Sequence, residues 1–130
     1  MSYSIIKVNH KAPTSHDLPI VQKTYDLIKW YVPILNRLPR HHKFHLGDRA
    51  IASLYDLLEG LIQARYAREK AHLLVALSAK LDVLRHQTRL MLEFELMESR
   101  RYEYACREID EIGRQLGGWL GQQKQHFEVT

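Results

Sequence analysis

From Asp17 onward the apolar residues recur every three or four positions, the spacing that lines up one side of an α-helix. The first run begins near Leu18 or Pro19, with Asp17 placed to cap it and Pro19 in its first turn, and extends to about Asn36. Val21, Tyr25, Ile28, Val32 and Leu35 form its predicted inward stripe. Pro33 falls inside the pattern; it lacks an N–H and crowds the carbonyl of Lys29, which predicts a kink or break. Pro39 ends the segment, and Arg40-His41-His42-Lys43 reads as a basic connection. A second helix runs from about Phe44 or Gly47 to Tyr66 and carries two stripes. One is Ala50, Leu54, Leu57, Leu61 and Ala64; the other is Ile51, Tyr55, Leu58, Ile62 and Tyr66. The apolar phase resets at Ala67-Arg68-Glu69-Lys70, which is taken as a turn. A third helix covers about 69–97, and a fourth starts after Ser99, a suitable N-cap, and runs to about Gln123. Ala105, Ile109, Ile112, Leu116 and Trp119 or Leu120 are its inward positions.

Composition supports helices over any sheet architecture. No Gly or Pro occurs between Leu61 and Ile112, a span that no sandwich, barrel or Rossmann unit crosses without turn residues. The 130 residues fit one domain, and an apolar share of 45% is enough for a core. The expected organisation is a polar arm over 1–17, a four-helix domain over 18–124 and a short tail over 125–130. Helices of roughly 18–28 residues would be about 27–42 Å long at 1.5 Å per residue. Short connections make successive helices antiparallel, so the predicted architecture is all-α, an up-down four-helix bundle.

One bundle core needs one stripe per helix, yet the third helix has two. Leu74, Leu77, Leu81, Leu84 and Met91 form one, and Leu73, Ala76, Val83, Leu90, Phe94 and Met97 the other. Either the bundle is unusually fat or one stripe, with Val83, Leu90 and Phe94, meets another subunit. The fourth helix places Gly113, Gly117 and Gly121 on one face beside Trp119. A Gly inside a helix costs roughly 0.5–1 kcal/mol against Ala, which close approach of another helix would offset. These four residues are therefore also candidates for an oligomer interface.

Candidate chemistry is sparse. His41 and His45, or His42 and His45, have spacings that could share a metal, but Asp48 is the nearest carboxylate and the stretch is better read as a solvated basic turn. Glu93, Glu95 and Glu98 lack the Glu-x-x-His partner of di-iron bundles, and Ser53 and Ser78 have no partnered His. No nucleophile, Walker or dinucleotide motif occurs, so neither catalysis nor a cofactor is expected. The single Cys106 fits a reducing cytoplasm, and no apolar run is long enough to span a membrane.

Charge is the stronger lead. Lys and Arg total 19 against 15 acids, a net charge of +4 with neutral His. Arg37, Arg40, Lys43 and Arg49 cluster at the first connection, and Arg65, Arg68 and Lys70 at the second. Arg85 and Arg89 share a face of the third helix, flanked by Asp82 and Glu93, so intrahelical ion pairing competes with any ligand. In one chain these patches are scattered; in a ring of identical subunits each would repeat and sum into a strong field.

The run Trp30-Tyr31-Val32-Pro33-Ile34-Leu35-Asn36-Arg37-Leu38-Pro39-Arg40 resembles the accessory variability determinant (Avd) proteins of diversity-generating retroelements. So do Phe44-His45-Leu46-Gly47-Asp48-Arg49, Asp56-Leu57-Leu58-Glu59-Gly60-Leu61-Ile62 and Ala64-Arg65-Tyr66-Ala67. Leu81-Asp82-Val83-Leu84-Arg85 with Arg89, and Ile112-Gly113-Arg114-Gln115-Leu116-Gly117-Gly118-Trp119-Leu120, continue the likeness over about residues 20–124. The resemblance places the chain in a wider group of bundles that includes proteins encoded in intervening sequences of bacterial ribosomal RNA. It implies a pentameric, basic accessory protein that binds RNA or DNA and associates with the element's reverse transcriptase, a complex that makes mutagenised complementary DNA. The family's basic positions carry over to Arg40, Arg65, Arg85 and Arg89, with Arg37, Lys43 and Arg49 beside them as candidate nucleic-acid or polymerase contacts. The alternatives are a structural oligomer of the intervening-sequence type, whose basic surface is incidental, and a metalloenzyme bundle resting on the His cluster.

Overall fold

The computed structural model describes the backbone of residues 17–129 and the side chains of residues 19–124, so the predicted arm lies, but for Asp17, outside the described residues. Four long helices follow one another: α1 (Asp17–Asn36), α2 (Asp48–Tyr66), α3 (Ala71–Glu93) and α4 (Ser99–Val129). No strand occurs among the described residues. α1 and α3 each pack against both α2 and α4, so the four helices enclose a single core. Ser53 on α2 bonds Gln87 on α3, Asp56 pairs with Lys80, and Gly60 lies against Leu77. Lys23 and Trp30 on α1 meet Glu108 and Tyr104 on α4.

The predicted inward stripes of α2 and α4 are buried in that core, as is the Leu74–Met91 stripe of α3. The stripe of α1 is not the predicted one. Ile20, Leu27, Tyr31 and Leu35 are fully buried beside Ile28, whereas Tyr25 is exposed and Val21 and Val32 are half-buried. Thr24 sits inside the core because its hydroxyl donates to the Ile20 carbonyl at 2.8 Å, so the polar group is satisfied within its own helix. Pro33 does not break α1. It faces solvent at an exposed position, where water can take up the one carbonyl it leaves unbonded.

The segment read as a basic connection is helical. After a tight turn at Arg37 and Leu38, Pro39 precedes a helical turn over Arg40–His42, and the Lys43 N–H donates to the Pro39 carbonyl at 2.8 Å. A π turn over Lys43–Gly47 leads directly into α2, closed by the Asp48 N–H on the Lys43 carbonyl. The wider turn directs Leu46 and Gly47 inward and leaves Phe44 exposed. Gly47 allows that approach: a Cβ there would lie 3.1 Å from Leu38 Cδ1 and 3.3 Å from the Leu35 carbonyl oxygen.

Two turns lack the glycine that usually marks a helix end. At the end of α2, Lys70 Nζ donates to the carbonyls of Ala64, Arg65 and Ala67, each at 2.8 Å, so an ammonium takes up the orphan acceptors. α3 ends at Glu93, short of the predicted 97. The Leu96 N–H returns to the Met91 carbonyl and the Glu95 N–H to the Leu92 carbonyl, a Schellman closure with Glu95 left-handed at φ 60°. The first bond of α4 runs from the Tyr102 N–H to the Glu98 carbonyl, which makes Glu98, not Ser99, the N-cap residue. α4 then passes the predicted end near Gln123 and reaches Val129; no described glycine has a positive φ to stop it.

Two stability outcomes follow. Glu95→Gly removes the cost of holding an L-residue left-handed, and after the added freedom of the unfolded chain the gain is about 0.5 kcal/mol. A higher urea midpoint with unchanged slope checks it. Lys70→Met strips three carbonyls of a charged donor in a half-buried turn and costs about 1–2 kcal/mol by the same measurement.

Candidate nucleic-acid interface

The bundle sorts its cations into paired and unpaired sets. Arg85 bonds Asp82 on its own helix and Asp110 on α4, at 3.2 Å to each. Arg89 pairs with Glu93 at 3.0 Å. These two arginines, with His86 and Tyr102, line a cavity of about 190 Å³ between α3 and α4. Its volume would admit a phosphate group, but three carboxylates already offset its two guanidinium charges. The pairing of Arg85 with Asp82 and of Arg89 with Glu93 was readable from helical spacing; the contribution of Asp110 was not, because it comes from another helix. Lys23, Lys29 and Lys80 are likewise paired with Glu108, Asp26 and Asp56. Arg114 grips Glu111, and that carboxyl, also bonded by Gln115, is held down at a pKa of about 2.

The other end of the cation distribution is different. The C-terminus of α1, the turns leading into α2, the C-terminus of α3 and the N-terminus of α4 lie at one end of the bundle, joined there by the His42–Phe94 ring contact at 5.3 Å. Arg37, Arg40, Arg49, Arg100 and Arg101 are at this end, and none makes an ion pair among the described residues. Glu95, Glu98 and Glu103 are the described carboxylates there without such a pair, while Lys43 holds Asp48 at 3.2 Å. Cations therefore exceed acids at this end, and they surround an exposed ring: the Arg40 guanidinium is 5.9 Å from the Phe44 centroid and the Lys43 ammonium 5.5 Å. The predicted set thus divides. Arg37, Arg40, Lys43 and Arg49 are brought together; Arg85 and Arg89 form a separate, compensated pair; Arg65 is at the far end of α2, its guanidinium 5.4 Å from the Tyr66 centroid. Arg100 and Arg101 were missed because nothing in the local pattern joins the start of α4 to the first connection. His41, His42 and His45 are in this end as well, and no group of three or more metal-ligating side chains is found among the described residues.

The candidate oligomer positions also divide. Trp119 is 3% exposed and belongs to the core of its own chain, so it is not an interface residue on an outer face. The inward period of α4 that placed it beside Leu116 outweighs its proximity to the glycines. Gly113 is covered from within: a Cβ there would come 3.3 Å from Leu81 Cδ2 and 3.5 Å from Arg85 Nη2. Gly117 and Gly121 face open space, with nothing within 4 Å of such a Cβ. The tight glycine is instead Gly60, where a Cβ would collide with Leu77. Val83, Leu90 and Phe94 are exposed along α3, so the core does not absorb the second stripe there. Tyr55, Ile62 and Tyr66 are exposed along α2. The two stripes flank α2 on different sides. Val83 and Leu90 are four residues before and three after Gln87, which bonds α2, so they sit on the flank of α3 that faces it. Tyr55 and Ile62 are each two residues beyond Ser53 and Gly60, which face α3, and so point roughly the opposite way.

Four helices about one apolar core, with five arginines that make no ion pair at one end and two exposed apolar stripes, define an all-α bundle protein. A family model described as bAvd-like matches residues 18–123, and the chain belongs to that family. The likeness read from residues 20–124 and this match agree. No curated protein matches the chain. Among the described residues, no helix is long and apolar enough to cross a membrane.

Proposed function

We propose that this chain is a non-catalytic accessory protein of a diversity-generating retroelement. It binds RNA or DNA through phosphate contacts and associates with the element's reverse transcriptase. Family membership supports the class. The observation that carries nucleic-acid binding is the set of arginines without carboxylate partners at one end of the bundle, Arg37, Arg40 and Arg49 with Arg100 and Arg101. Arginines already matched by carboxylates bring little net field to a phosphate chain, whereas unmatched ones displace its counterions. In the same reading the helices alternate up and down, which the Ser53–Gln87, Lys80–Asp56 and Lys23–Glu108 pairs support.

The assembly in this reading is a ring of five copies. A closed ring of identical subunits needs two different faces on each, one meeting the other across every interface. The α2 stripe of Tyr55, Ile62 and Tyr66 and the α3 stripe of Val83, Leu90 and Phe94 are two such faces on opposite flanks of α2. A two-fold dimer would leave one of them uncovered. The open faces of Gly117 and Gly121 give a further place for a neighbouring helix to approach.

Sedimentation equilibrium at micromolar concentration is expected to give five times the 15.3 kDa chain mass. Leu90→Asp is expected to lower that mass with helicity unchanged. A monomer mass for the unaltered chain overturns the ring.

Binding is expected to fall steeply with salt and to show little sequence preference, as phosphate contacts do. Arg37→Ala with Arg40→Ala should reduce the slope of log K against log salt by roughly 1.4–1.8, at about 0.7–0.9 per lost contact. Arg85→Ala with Arg89→Ala should change it less, because Asp82, Asp110 and Glu93 already offset those charges. No binding at about 0.1 M salt, where screening still leaves close contacts intact, would favour the structural oligomer instead.

A further inference from the structure

Phe44 is the one large apolar side chain in the basic stretch Arg40–His45, and it is 55% exposed even with two cations beside it. Phe94, at the same end, already has a ring neighbour in His42. Phe44 has no ring neighbour among the described residues; the groups over its ring are the Arg40 guanidinium and the Lys43 ammonium. The π turn is what holds it out. By sending Leu46 and Gly47 inward, the wider turn gives the core its apolar contacts without using the phenyl ring. A ring that serves no core and lies between cations has the make-up of a stacking site for a nucleobase, with positive groups on hand for the phosphates that flank it.

We propose that Phe44 is a stacking platform for an unpaired base, with Arg40, which has no carboxylate partner, holding an adjoining phosphate, so that the preferred ligand is single-stranded nucleic acid. The proposal rests on the nucleic-acid reading above and adds to it the strandedness of the ligand and the side chain that selects it. A duplex keeps its base faces stacked on one another and offers this end only phosphates. A single strand offers both, and any base has a face to stack, so sequence preference stays slight. DNA and RNA share this chemistry; a contact to the 2′-hydroxyl would separate them.

The test uses the full chain, labelled oligomers of deoxythymidine and of uridine about 15 nucleotides long, and a mixed-sequence duplex of equal length, a size within the range that such sites cover. Single strands should bind more tightly than the duplex. Phe44→Ala and Phe44→Leu should each weaken single-strand binding about 5–150-fold, the range expected for one lost stacking contact, and leave duplex binding within twofold. Phe44→Tyr should retain the affinity. The salt slope should not change in any of the three, since no charge is removed. Tyr66→Ala removes an exposed ring beside Arg65 at the far end of α2 and should have a smaller effect. Weakening with either single strand supports the platform, and their ratio reads the 2′-hydroxyl contribution. Equal or tighter duplex binding, equal losses for strand and duplex, or an unchanged affinity in Phe44→Leu overturns it. A fall in oligomer mass in Phe44→Leu also overturns it, because the ring would then be part of a contact between copies. If the unaltered chain binds no nucleic acid at all, the functional reading itself fails; if it binds and only the Phe44 variants are silent, the platform alone does.

Discussion

Among the described residues, one hydrogen bond between two fully buried side chains joins separate helices across the apolar core. Tyr31 on α1 and Thr88 on α3 share a hydrogen bond at 2.8 Å, both residues fully buried, between helices that are diagonal neighbours in the bundle. Each hydroxyl would be costly to bury alone, on the order of 1–3 kcal/mol, so the pair is satisfied at one relative height of α1 and α3 and penalised at others. Leucines on neighbouring helices give no comparable preference, since they pack nearly as well after a small slide. Burial also pushes the Tyr31 hydroxyl up to about 12, against the pull of its bond to Thr88, so the group stays protonated over the ordinary pH range. The height so chosen puts the end of α1 beside the end of α3 and brings the turns around Arg37–Arg49 level with Phe94. The basic end of the bundle depends on that register.

Much of this was legible because period and polarity agree along α2, α3 and α4. It was less so where a residue breaks the simple rule for a physical reason. On α1 the polar Thr24 and the large Tyr31 occupy core positions because each has a partner for its hydroxyl, and those partners are invisible without the fold. The apolar but half-exposed Val21, Tyr25 and Val32 drew the predicted stripe around the helix. The two inter-helix turns at 67–70 and 94–98 carry no glycine. One is closed by the three donors of Lys70, the other by Glu95 accepting a left-handed backbone. Neither solution has a sequence signature as clear as Gly after a helix.

The candidate site was legible in part for the same reason. Clusters close in sequence, such as Arg37, Arg40, Lys43 and Arg49, could be found by reading along the chain. Contributions from another helix could not: Asp110 to Arg85, or Arg100 and Arg101 to the first connection. The π turn is the other hidden element. A helical wheel with a constant 100° step misplaces everything before Gly47 relative to everything after it, so Phe44 cannot be assigned to a face from spacing alone.

The surface pairs and the unpaired arginines also do different work. An exposed ion pair such as Arg89–Glu93 contributes little to stability, typically under 1 kcal/mol, and carries no net charge to a distance. Its effect is on where the field is not. With the long flank of α3 neutralised by Asp82, Glu93 and Asp110, exposed positive charge is densest at the turns before α2 and the start of α4, with Arg68, Arg107 and Lys124 scattered away from it. If the apolar stripes of α2 and α3 join copies side by side, these ends are carried around a common axis and their potentials add at distances shorter than the Debye length, roughly 8 Å at physiological salt. Partition of charge within one chain and repetition of that chain then act in the same direction. On that condition the basic end is weak in a single copy and stronger in the assembly, and in both cases it stands out against the neutralised flank of α3.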